Sequence, residues 1–152
     1  MKLKLALSAV CITLLFASSG LHGRTSFQEA KKFDQFSGAN WENAMARLDN
    51  FALSLQNDPA SIGVVFVYGG QNRQRFEPDA WSNCVKDYLV KRRSLDPTKL
   101  AFVLGGYREN LSVELWQAPD KNQIPRATAT IKPAAVKFTG KTITSWRSLC
   151  SL

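Results

Sequence analysis

The chain has 152 residues, with 20 Lys+Arg against 12 Asp+Glu, one histidine and three cysteines. That length suits a single domain. The sole histidine, His22, lies near the N-terminus, so Cys–His and Ser–His nucleophile pairs and histidine-based metal sites are not expected.

The N-terminus reads as a secretory signal. Lys2 and Lys4 precede an apolar run over 5–16, and small residues follow at Ala17-Ser18-Ser19-Gly20. The run is too short to span a membrane. Cleavage is expected after Ser19, giving a signal over 1–19; an uncleaved anchor is the alternative. Without Lys2 and Lys4 the formal charge is +6, which draws a secreted protein toward anionic surfaces. Cys84 and Cys150 then remain, an even count that suggests one disulfide in an oxidising compartment. A buried Cys84 with a free Cys150 fits the same count.

Residues 20–31 are polar and without period, and read as a disordered lead-in. A short edge strand is expected over 32–36, around Phe33 and Phe36. Asn40 is a good helix N-cap, with Glu42 in the first turn where the helix dipole favours negative charge. Trp41, Ala44, Met45, Leu48, Phe51, Ala52 and Leu55 then fall on one helical face. Asn57-Asp58-Pro59 ends that helix, because the residue before proline leaves the α region.

The run IGVVFVY over 62–68 is β-branched and aromatic, as expected of a central strand buried on both faces. A polar loop over 71–78 carries Asn72, Arg73 and Arg75. A second helix is expected from Pro78-Asp79, with Trp81, Cys84, Val85, Tyr88 and Leu89 inward and Lys91-Arg92-Arg93 as a solvated end. Leu100 to Leu104 reads as a further strand in the middle of the sheet. Residues 111–116 alternate as a strand with one covered face, leaving Ser112, Glu114 and Trp116 on the other. Glu109-Asn110 suits an antiparallel turn between these two strands.

The order gives an α/β (α+β) two-layer sandwich, βαβαββ, with a mixed sheet over 32–117. After Pro119 the composition changes to proline and threonine, an extended linker with a short β-like tail over 118–152. Within it, 136–146 alternates around Thr139-Gly140-Lys141, as a small hairpin or one added edge strand would.

Candidate chemistry is sparse. Gly69-Gly70 follows a strand but lacks the Gly-Lys-Ser/Thr ending of a phosphate loop. The carboxylates are scattered with no pair marked out for acid–base work. No enzymatic activity, cofactor or metal is expected. Tyr107-Arg108-Glu109 follows a glycine pair at a strand end, where α/β proteins often place ligand contacts.

The stretch Val85-Lys86-Asp87-Tyr88-Leu89, followed by Leu95-Asp96-Pro97-Thr98-Lys99-Leu100 and Gly105-Gly106-Tyr107, resembles the second half of the OmpA-like C-terminal domain. Residues 48–59, LDNFALSLQNDP, are similar to that family's first helix. The likeness covers about 32–116, and it extends to short secreted bacterial proteins sharing the half-motif. It implies an OmpA-like fold and a periplasmic peptidoglycan-binding role. The family follows its central strand with Gly-His-Thr-Asp, whose aspartate grips the amine of the peptide's diamino acid. Here the stretch is Tyr68-Gly69-Gly70-Gln71-Asn72, without an aspartate. The family's arginine for the peptide carboxylate is replaced by Trp81.

The expectation is a secreted or periplasmic, non-catalytic module with a degenerate peptidoglycan site. Asn72, Arg73, Arg75 and Arg108 are its candidate ligand residues. Peptidoglycan or another anionic envelope polymer is the expected partner, and an envelope protein is the alternative. Nucleic acid is not expected, and membrane contact is expected only through the signal segment.

Overall fold

A computed structural model describes residues 29–37 and 40–150. The signal expected over 1–19, and most of the expected lead-in, lie outside the described residues. Four strands and two α-helices form the framework: β1 (Lys31–Ser37), α1 (Trp41–Asn57), β2 (Ile62–Gly70), α2 (Glu77–Asp87), β3 (Leu100–Arg108) and β4 (Ser112–Ala118). A π-helical turn, Tyr88–Arg92, extends α2.

The sheet is mixed and ordered β1-β4-β2-β3. β2 runs parallel to β3 and antiparallel to β4, and β1 is antiparallel to β4. The α/β two-layer expectation therefore holds, and β2 is buried along its whole length. Two strand assignments change. Leu100–Leu104 belongs to an edge strand, not a middle one, and Leu104 is 52% exposed. The chain after β3 does not fold back as a hairpin. It passes the end of β2, where Gln71 N donates to Glu109 O at 3.2 Å, and inserts β4 between β1 and β2. Both edges of β4 are consequently paired, Ser112 to Leu115 are buried, and Trp116 is half-buried.

Local chemistry explains the elements. The Asn40 side chain accepts hydrogen bonds from Glu42 N and Asn43 N, closing the first turn of α1. Ala44, Leu48, Phe51, Ala52 and Leu55 are its buried stripe. They meet Trp81, Val85 and Leu89 from the α2 side and Val65, Val67, Val113 and Leu115 of the sheet. The indole of Trp81 sits edge-on to Trp41, with centroids 5.6 Å apart. Arg93 is not a solvated cation: it pairs with Asp49 and donates to the Tyr88 hydroxyl at 3.0 Å.

The other face of the sheet carries a second cluster, Ile62, Val64, Phe66, Tyr68 and Ala118. The segment after β4 covers part of it. This strap starts with a 3-10 turn at Lys121–Gln123, packs Ile124 on the second cluster and bridges Tyr107 through Ile131. It then crosses the loop after β2, with Lys137 N, Thr139 N and Ile143 N donating to the carbonyls of Gln71, Arg73 and Arg75. It ends at Cys150, which is bonded to Cys84 across 66 residues.

The hairpin or added strand expected over 136–146 does not form, and the single bridge at Ile131 is the strap's β-like contact among the described residues. The physical reason is competition for acceptors. The unpaired carbonyls of the β2–α2 loop take the amides that a hairpin would have paired.

Candidate functional site

The parallel pair β2 and β3 ends at Gly70 and Arg108, which face each other in register. Beyond this end, a cavity of about 400 Å³ is lined by Gln35, Phe36 and Ser37 of β1, Ser112 of β4, Thr130 of the strap, and Arg108, Glu109 and Asn110 between. A second hollow of about 340 Å³ shares Gln35, Phe36 and Ser37 and adds Asn40, Asn43 and Arg47 from the start of α1. Most polar groups around both are amides and hydroxyls, suited to a polar ligand with many hydrogen-bonding groups.

Behind the cavity lies a buried ion cluster that the sequence reading missed. Glu114 is 3% exposed in the centre of the sheet. Its carboxylate accepts from Lys32 Nζ at 2.8 Å, Arg108 Nη2 at 3.0 Å, Trp116 Nε1 at 3.0 Å and the Tyr68 hydroxyl at 3.4 Å. Burial alone pushes this carboxyl up, but the hydrogen bonds from Lys32, Trp116 and Arg108 outweigh it and hold it below the ordinary carboxylate range. The Arg108 guanidinium carbon lies over the Tyr68 ring, 3.5 Å from its centroid. It also donates to the Thr128 carbonyl at 3.2 Å and the Ser112 hydroxyl at 3.4 Å. Gly105 is required here, because a Cβ at that position would stand 2.3 Å from the Tyr68 ring. The one available signal was a lone carboxylate among the apolar residues of β4. Alternation alone puts it on the uncovered face, because the strap's path leaves no trace in the sequence.

The four residues singled out from the sequence are not brought to one ligand point. Asn72 is exposed on the β2–α2 loop, and its carbonyl accepts from Thr139 Oγ1 at 3.3 Å. Arg73 makes a bidentate pair with the buried Glu77, with Nε to Oε2 at 2.8 Å, and this bond is the first cause of its raised pKa. Arg75 lies over the Phe138 ring at 4.6 Å. Arg108 alone lines the cavity. The loop bearing the other three is crossed by the strap.

Among the described residues, no group of three or more His, Cys, Asp or Glu is placed to hold a metal ion. No described helix is long and apolar enough to cross a membrane. The protein-family models and the curated proteins searched contain no match to the chain.

Proposed function

We propose that the protein is a secreted or periplasmic, non-catalytic module of the cell envelope, and that it binds peptidoglycan through the cavity at the carboxyl ends of β2 and β3. The observation that carries this reading is the cavity itself. It is an open hollow of about 400 Å³, with one cation at its wall and amide and hydroxyl groups around it. Its position agrees with the general placement of ligands beyond strand carboxyl ends in α/β sheets. An OmpA-like origin accounts for that placement. The loss of the family's aspartate and arginine then moves the contacts from the β2–α2 loop to Arg108, Asn110 and Thr130. A non-catalytic role is supported by the lining: Glu109 is its one carboxylate, and Ser112 has an arginine, not a base, beside it.

Retention on purified peptidoglycan sacculi tests this. The parent protein should stay bound at moderate salt, and an Asn110→Ala, Thr130→Ala variant should bind roughly tenfold more weakly, as expected for two lost hydrogen bonds. Unchanged retention of the variant, or release of the parent by moderate salt, would contradict the reading, the latter by reducing it to charge attraction.

A second reading, an envelope protein that uses the fold only for protein contacts, is favoured by the β3 edge. Residues 100–106, before the strap's bridge at Tyr107, carry no charge there, and Leu104 is exposed. Edges of this kind pair with other chains unless charge or proline guards them. Under it, the purified parent should self-associate in gel filtration and Leu104→Lys should elute as a monomer; two identical elution volumes would remove it.

A further inference from the structure

The positive charge of the chain is concentrated in the strap. Residues 20–120 hold twelve cations and twelve carboxylates. After Asp120 come Lys121, Arg126, Lys132, Lys137, Lys141 and Arg147, with no carboxylate among them. All six are exposed, and among the described residues none belongs to an ion pair.

Two exposed phenylalanines accompany this charge, Phe138 within the strap and Phe76 next to Arg75 of the loop that the strap crosses. Phe76 is 54% exposed and Phe138 42% exposed. Loop and strap are locked into one surface. Arg75 lies over the Phe138 ring, and the Arg75 carbonyl accepts from Ile143 N at 3.2 Å. Phe138 is seated from below by the Tyr107 ring, with centroids 6.3 Å apart. Phe76 has φ 63° and ψ 12°, a left-handed conformation that bulky residues rarely adopt. A large apolar side chain is thus held outward in a strained backbone, a pattern associated with function.

The geometry points to a docking surface for an anionic phospholipid bilayer, formed by Arg75, Phe76, Lys137, Phe138 and Lys141. The cations meet headgroup phosphates while the two rings enter the boundary between headgroups and acyl chains. A soluble polyanion would satisfy the cations and leave both rings in water; a bilayer satisfies both. The disulfide at Cys150 and the backbone bonds to residues 71–75 keep the surface assembled. It shares no residue with the cavity, so it does not rest on the peptidoglycan reading.

Sedimentation of the full chain with vesicles tests it, using phosphatidylcholine alone and phosphatidylcholine mixed with phosphatidylglycerol. The parent should partition more strongly onto the phosphatidylglycerol vesicles and detach as salt rises. Lys137→Gln with Lys141→Gln should weaken that partition about fivefold per cation removed. Phe76→Asn, a residue that tolerates the left-handed backbone, should weaken it with no fall in melting temperature. Every chain carries the same apolar run at 5–16, so its contribution is common to all comparisons. Equal partition of the parent onto both vesicle types, or variants that partition like the parent, would overturn the proposal. Retention on sacculi without vesicle binding would also overturn it and would leave the cavity reading intact. Vesicle binding that survives Asn110→Ala, Thr130→Ala is the expected sign that the two surfaces are separate.

Discussion

Glu114 decides more of the site than any other single side chain. Its carboxylate is buried, and it is the shared partner of Lys32 and Arg108. Glu114→Gln keeps the shape but leaves the 15%-exposed Arg108 without its counter-charge. Breaking a buried pair this way costs about 3–5 kcal/mol, which urea unfolding of the variant should register as a lower midpoint. The carboxyl is held below its ordinary value, so the unfolded chain takes up the proton first on acidification. Its contribution is present above about pH 5 and is lost as pH falls through the lowered value. Tyr88 sets the opposite limit. Burial, with the bond to Asp49, pushes its phenol up against the opposing effect of Arg93. The folded state therefore keeps that proton longer, and stability should decline as pH rises beyond about 10. Thermal melts across pH should show both limbs, and Glu114→Gln should flatten the acid one.

The elements differ in how visibly the sequence encodes them. α1 was plain because an N-cap, a 3.6-residue apolar stripe and a proline stop agree. Asn40→Ala should lower stability by about 1 kcal/mol, read from the denaturant midpoint. β2 was plain because nine successive residues are buried on both faces, which leaves no polar position to blur the pattern. Neighbour relations were not visible. β3 reads as apolar as β2, yet it lies at the edge, because β4 takes the inner place beside β2. No local pattern in residues 100–116 distinguishes that insertion from a hairpin. The strap is hardest to read, since it adds no α-helix and no strand, only short 3-10 turns. Its amides at Lys137, Thr139 and Ile143 are satisfied by the distant carbonyls of Gln71, Arg73 and Arg75, and pairing at that distance leaves no periodic trace. The same distance hid the partner of Arg75, the Phe138 ring of the strap; Arg73 instead meets Glu77, a pairing four residues away that the sequence does carry.

At the scale of the whole molecule, a charge-balanced sandwich is wrapped by a basic strap fastened to α2. Cys84→Ser with Cys150→Ser should lower stability by about 2–4 kcal/mol. Hydrogen exchange should then speed up at the amides of 137, 139 and 143 while those of β2 stay protected; equal protection in both proteins would mean that the strap is held without its covalent anchor. The same wrapping places Thr130 at the cavity and crosses the β2–α2 loop, where Glu77 and Phe138 engage Arg73 and Arg75; on the proposed reading a ligand enters at the cavity and not at that loop. That choice of entry is the core of the functional reading. NMR titration with soluble peptidoglycan fragments tests it most directly. Amide shifts should gather at Ser37, Asn110, Ser112 and Thr130 around the cavity. Shifts gathered instead at residues 71–76, or a spectrum unchanged at saturating fragment, would contradict it.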